Sequence, residues 1–197
     1  MSSKCDVTAI SAQLEAMQDE SVNFESFVLK AAAKAFSKAF PEVEAKNIAR
    51  VVQDAEQVGV QFHARANELQ MGDFASQEVA EGMYGHTQAD AISACPLVIS
   101  QVAHSVESLP IVSHAALISL HFTQPQTEVV HGGQKVGEMF DIETLDDEHM
   151  TYDLSLKVAQ TAKVSISYDV QKVDDITAGK YLHYLKTYLD DPDMMLL

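Results

Sequence analysis

The chain has 197 residues, 47% apolar and 21% charged, the balance of a single globular domain large enough to bury a core. Its 29 acidic residues against 13 basic ones give a net charge of −16, which repels phosphate and argues against nucleic acid as a partner. No apolar run reaches the roughly 18 residues that span a bilayer, and Met1-Ser2-Ser3-Lys4 leads into no apolar signal core. The acidity is first of all a solubility property, and it leaves room for a basic partner surface.

The first periodic segment, Asp6 to Met17, places Val7, Ile10, Leu14 and Met17 on one helix face, with Asp6 as the N-cap. The next is the clearest helix. Asn23 caps it, Phe24, Phe27, Val28, Ala31, Ala32, Ala35, Phe36, Ala39 and Phe40 recur at three and four residues, and Pro41 stops it. Lys30, Lys34 and Lys38 line another face of that helix, which reads as solvated. Ile48 to Val52 and Val58 to Phe62 are short enough and apolar enough to be strands. Met71-Gly72-Asp73 and Glu81-Gly82-Met83-Tyr84-Gly85 read as turns, with room for a short helix between them.

After Pro96 the composition favours strands: Leu97 to Ala103, Ala115 to Phe122, and a hairpin of Thr127 to Val130 and Lys135 to Ile142 around His131-Gly132-Gly133-Gln134. Asp141 to His149 holds five carboxylates but no glycine, so it reads as a solvated loop rather than a calcium loop. Tyr152, Leu154, Leu156 and Val158 alternate with polar residues, and Val164, Ile166, Tyr168 and Val170 repeat the pattern. Two strands joined near Gln160 to Ala162, or one long bent strand, fit equally. Thr177 to Asp190 closes the chain as a helix that buries Ala178, Tyr181, Leu182, Leu185 and Leu189.

Several chemistries lack their residues. No Gly-x-Ser-x-Gly elbow is present, and Gly179-Lys180 lacks the remainder of a phosphate loop. The eight histidines show no zinc spacing. Cys5 and Cys95 are the only cysteines, too few for a disulfide scaffold, and they read as free thiols in a reducing compartment. Only Lys4 lies close enough in sequence to lower a thiol pKa. No cofactor or metal is implied.

Two segments resemble one family. Val22-Asn23-Phe24-Glu25-Ser26-Phe27-Val28-Leu29-Lys30-Ala31-Ala32-Ala33, continuing through Phe40-Pro41-Glu42-Val43-Glu44-Ala45, is similar to an asparagine-capped helix of the 2-oxo acid dehydrogenase acyltransferase cores. Val164 to Leu197 resembles the end of the same core, from its motif strand through Lys180 to Leu189 and on to Asp191-Pro192-Asp193-Met194-Met195-Leu196-Leu197. Ala115 to Phe122 resembles a core strand, and the likeness is poor between Ile48 and Pro110. The resemblance implies one domain over residues 1–197, of mixed α/β (α+β) class, similar to chloramphenicol acetyltransferase, with helices packed on one face of a mixed sheet. Neither a lipoyl domain nor a peripheral-subunit-binding domain is expected within it.

The family's Asp-His-Arg-x-x-Asp-Gly signature falls on Asp169-Val170-Gln171-Lys172-Val173-Asp174-Asp175. Both aspartates are kept, while Val170, Gln171 and Asp175 stand where the family has histidine, arginine and glycine. In the family that histidine is the general base for a thiol, and valine accepts no proton; general bases typically contribute about 10²- to 10⁴-fold. If the glycine position needs positive φ, Asp175 carries a backbone cost. The family's oxyanion-stabilising Thr-Ile-Ser-Asn-Leu-Gly segment has no evident counterpart.

The resemblance thus implies a non-catalytic subunit with a structural or assembly role in a large, mitochondrial complex such as a 2-oxo acid dehydrogenase complex. It would self-associate as a trimer or heterotrimer and contact other subunits, with Met194, Met195, Leu196 and Leu197 either docking on a neighbouring trimer or packing on their own domain. The expected setting is the mitochondrial matrix, with bacterial cytoplasm as the alternative. An active dihydrolipoamide or coenzyme A acyltransferase with a relocated base (His114, His121 or His183) and a pseudoenzyme that still binds acyl-coenzyme A or lipoamide are the competing readings.

Overall fold

The computed structural model describes residues 1–17, 22–43, 47–53, 58–63, 65–76, 95–102, 116–131 and 156–195. In chain order these form β1 (Ser2–Asp6), α1 (Thr8–Ala16), α2 (Phe24–Ala39), β2 (Ile48–Gln53), β3 (Val58–His63), α3 (Met71–Ser76), β4 (Leu97–Gln101), β5 (Ile118–Phe122), β6 (Gln126–His131), β7 (Leu156–Tyr168), α4 (Asp175–Asp190) and a closing 3-10 turn, Pro192–Met195. None of the described helices is long and apolar enough to cross a membrane.

The strands make one mixed sheet in the order β1-β7-β5-β4-β2-β3, with β6 also paired to β7. The β2–β4 and β4–β5 pairs are parallel and the others antiparallel. The thirteen-residue β7 is the spine of this arrangement. Along one edge it pairs with β5 from Ile118↔Tyr168 to Phe122↔Val164, and then with β6 from Gln126↔Thr161 to His131↔Leu156. Along its other edge it pairs with β1 from Ser2↔Ser165 to Asp6↔Thr161.

Alternate strand residues face opposite sides of the sheet. Ile48, Leu97, Ile99, Ile118, Leu120, Phe122, Ala162, Val164 and Ile166 share one buried cluster with the apolar faces of the four helices. The described helices therefore pack on one face, as the resemblance implies. On the opposite face, Ala49, Cys95, Val98 and Ala116 form a separate small cluster.

Helix α2 starts where the Asn23 side chain accepts from the Ser26 N–H at 2.9 Å, and it ends at Phe40, ahead of Pro41. Its core face meets α4: Phe36 and Tyr181 pack edge to face at 6.3 Å, and Phe40 stacks on Phe36 at 4.7 Å. Near the start of α2, the half-buried Arg50 guanidinium pairs with both oxygens of Glu25 and donates to Gln61 at 2.7 Å.

Several sequence expectations change. Lys30, Lys34 and Lys38 are not simply solvated. Lys30 donates to the carbonyls of Asn67 and Leu69. Lys34 donates to those of Met194 and Met195, at 3.4 and 2.7 Å. Lys38 stands 5.5 Å above the rings of Tyr184 and Tyr188. The stripe thus ties α2 to α4 and to the chain that follows it.

Asp6 does not occupy the N-cap, which falls on Val7; its carboxylate instead accepts from the Thr8 N–H and hydroxyl at 3.0 and 2.6 Å, ending β1 in a tight turn. Strand β1 has no signature of its own, because only Cys5 of its five residues is buried. It is held by the edge of β7. Met71-Gly72-Asp73 opens a helix rather than a turn; Asp73 accepts from the Gln70 N–H at 2.7 Å. Leu156 to Tyr168 is one strand. On it Val158 is exposed, opposite the equally exposed Val129. The Glu81–Gly85 turn, the second hairpin strand and the acidic loop lie outside the described residues.

Two substitutions test the α2–α4 arrangement. Asn23→Ala removes a cap and is expected to lower the unfolding free energy by about 1 kcal/mol in urea titration. The fully buried Tyr181 hydroxyl has no hydrogen-bond partner, so Tyr181→Phe should leave stability unchanged or raise it by up to about 1 kcal/mol.

Candidate functional site

Strand β7 delivers the chain directly into the Asp169–Asp175 turn, and α4 leaves from it. Asp169 organises this turn. Its carboxylate accepts from the Gln171 N–H at 2.9 Å, and its carbonyl accepts from the N–H groups of Lys172 and Val173 at 2.9 and 3.0 Å. Asp174 is the N-cap of α4, accepting from the Thr177 N–H at 2.8 Å and the Thr177 hydroxyl at 2.7 Å. The Thr177 backbone bond, then the hydroxyl bond, hold the Asp174 carboxyl below the usual aspartate range. Both retained aspartates therefore have structural work that is independent of catalysis.

Between them Val170 is 74% exposed, and Gln171 is exposed as well. Val173 points inward and is buried. Asp175 is the first residue of α4, and its carboxylate accepts from the Tyr168 hydroxyl at 2.8 Å. That bond is the main reason the Tyr168 phenol is pushed up. The only described non-glycine residue with positive φ is Arg65, so Asp175 bears no left-handed backbone strain.

The three relocated-base candidates separate. His183 is exposed on the outer face of α4, beside Tyr184. His114 lies outside the described residues. His121, on β5, is 2% exposed, and its Nδ1 lies 2.6 Å from the hydroxyl of Ser100 on β4. Burial lowers its pKa, which favours the neutral ring. The parallel register places Ser100 directly beside His121, a meeting of residues 21 apart in sequence that no local motif signals.

Of the tail residues, Met195 is buried in its own core and Met194 is 41% exposed, while Leu196 and Leu197 lie outside the described residues. Cys5 and Cys95 are buried free thiols. Burial, with a smaller push from the Asp190 charge, raises Cys5 to about 12, and burial raises Cys95 to about 11, so neither is a ready thiolate. Among the described residues no cluster of His, Cys, Asp or Glu has the makings of a metal site.

This architecture is that of the acyltransferase catalytic cores of 2-oxo acid dehydrogenase complexes, with chloramphenicol acetyltransferase as a more distant relative of the fold. The chain superposes on the cubic core of a pyruvate dehydrogenase multienzyme complex with a TM-score of 0.75 and 16% identity, covering 100% of this chain and 83% of that one. It superposes equally on the dihydrolipoamide acetyltransferase of Azotobacter vinelandii, with a TM-score of 0.74, 16% identity and the same coverage; a serine, a histidine and an asparagine of that enzyme have been studied for their role in its catalytic mechanism. Chloramphenicol acetyltransferase follows at a TM-score of 0.58 and 8% identity, covering 96% of this chain and 86% of that one. At these identities the likeness is one of fold. No protein-family model and no curated protein sequence matches the chain.

The capping role of Asp174 carries a pH signature. Its stabilisation is complete above about pH 4, the ordinary aspartate range, and is lost as pH falls through its lowered native value. Asp174→Asn keeps a capping oxygen that does not titrate. Acid titration followed by circular dichroism should show the wild type losing stability relative to this variant below about pH 4; identical acid limbs would mean that the carboxylate does not cap.

Proposed function

We propose that this chain is an acyltransferase-fold subunit with a structural role in a large multienzyme assembly, and that its Asp169–Asp175 turn is catalytically silent. The observation that carries the reading is the state of that turn. Its aspartates are accounted for as turn-former and helix cap, and the position between them that would have to accept a proton holds an exposed valine. Selection for folding alone keeps such a turn, whereas selection for thiol deprotonation would not accept Val170.

The assembly half of the proposal draws on the neighbours, one of which is the cubic core of a multienzyme complex. The partners we infer are further copies of this chain or of a close relative, in a trimer or heterotrimer, together with other subunits of the complex. The setting we infer is the mitochondrial matrix, with a bacterial cytoplasm as the alternative. Exposed apolar side chains at Val170, Ile176 and Met194 favour contact with another surface, since such groups gain by leaving water. Lys34 holds the carbonyls of Met194 and Met195, which fixes the exposed Met194 beside α2.

Native mass spectrometry of the purified chain, alone and with its co-purifying proteins, tests the assembly. Trimers or multiples of three are expected. Met194→Asp introduces a charge at an exposed position and should weaken assembly while leaving the thermal unfolding of the domain nearly unchanged. A strictly monomeric protein without a co-purifying partner would overturn the structural role.

A further inference from the structure

The charges of β1, β6 and β7 gather on the face of the sheet away from the helices. Cys5 of β1 and Ala162 and Val164 of β7 join the main core, so alternation sends Lys4, Asp6, Thr161 and Lys163 to the other side. There the three strands meet around a cleft of about 330 Å³. Ser2, Ser3 and Lys4 of β1, Glu128 of β6, and Thr161 and Lys163 of β7 line it. Thr161, 4% exposed, is the most enclosed of these residues.

The register places Lys4 directly opposite Lys163. Like charges so placed destabilise a strand pair. Glu128 pairs with Lys4, and Asp6 lies 4.0 Å from Lys157. These five are all the charged residues of the three strands. Lys163 is the one left over, with no carboxylate partner among the described residues. Lys4 stands on an end strand of the described sheet, where a lysine discourages further strand pairing. Lys163 has no such task, because β7 is paired along both of its edges. Folding alone therefore gives no account of it. In a chain of net charge −16, a spare cation in a cleft is a local exception.

The lining defines the chemistry that fits. Ammonium and hydroxyl groups both donate to an oxyanion, the ammonium with the stronger bond. Glu128 in the wall limits the charge that is accepted: Lys4, Lys163 and Glu128 together carry one net positive charge. A monoanion neutralises that charge, whereas a dianion leaves a surplus beside Glu128. The volume is at the small end of the range for ligand sites.

We propose that this cleft binds the carboxylate of a small organic acid, with Lys163 Nζ and the hydroxyls of Thr161 and Ser2 donating to its oxygens, and with the Lys4–Glu128 pair selecting a single negative charge. The inference rests neither on the state of the Asp169–Asp175 turn nor on the assembly.

Calorimetric titration of the full chain in its native oligomeric state tests it, with sodium propionate and inorganic phosphate as probes. Ionic strength is held constant with sodium chloride, so that general screening is the same in every titration, and the pH is about 8, where phosphate is a dianion. The wild type is expected to bind propionate with a Kd of about 1 mM and phosphate more weakly. Lys163→Gln removes the unpaired ammonium and should weaken propionate binding about tenfold. Its melting temperature without ligand should equal or exceed that of the wild type, since the repulsion from Lys4 is gone. Glu128→Gln adds one net positive charge to the cleft and should bring phosphate binding up to that of propionate. No saturable response of the wild type to propionate, tighter binding of phosphate than of propionate by the wild type, an unchanged affinity in Lys163→Gln, or an unchanged preference in Glu128→Gln would overturn the proposal.

Discussion

Strand β7 has to satisfy backbone hydrogen bonds along both of its edges over thirteen residues, and that requirement sets the geometry of nearly everything else. β5 and β6 run end to end along one side of it, and β1 covers the other. A one-residue slip would turn Ala162, Val164 and Ile166 away from the helices and expose them. The register is therefore fixed by the core, and with it the point at which the chain leaves the sheet and enters the Asp169 turn.

The turn and α4 follow from that exit. Asp169 satisfies the first N–H groups beyond the strand, and Asp174 satisfies those that open the helix. Val173, between them, is drawn into the core and anchors the loop. A chain that connects a strand to a helix in this space is served by both aspartates whether or not it does chemistry. What it does not need for folding is the residue at Val170, which faces solvent. The motif frame and the motif function are thus separable here: Val170 and Gln171 fall on exposed positions, and Asp175 opens α4 and accepts from Tyr168.

How far the sequence reaches depends on which forces are local. Helix α2 is legible because Asn23, the apolar spacing from Phe24 to Phe40, and Pro41 each act within a few residues. The period-2 pattern around Leu156 to Tyr168 is equally legible as strand, but alternation carries no information on whether the chain breaks near Gln160; pairing with three partners decides that it does not. Strand β1 is invisible because its reason for existing is the edge of β7, over 150 residues away. The lysine stripe shows its common face in the sequence, but not the carbonyls and aromatic rings that face it. At the site, the loss of a base at Val170 can be read from the motif alone. The structural tasks of Asp169 and Asp174, and the meeting of Ser100 with His121, require the folded register.

The central claim is that an acyltransferase frame persists here without the proton acceptor that its motif turn would supply. Acetyl transfer from acetyl-coenzyme A to dihydrolipoamide, measured with the assembled protein, tests it most directly. The account predicts release of coenzyme A at the uncatalysed rate, unchanged by Val170→Ala. Turnover at an ordinary enzymatic rate of about 1 s⁻¹ or more would contradict it.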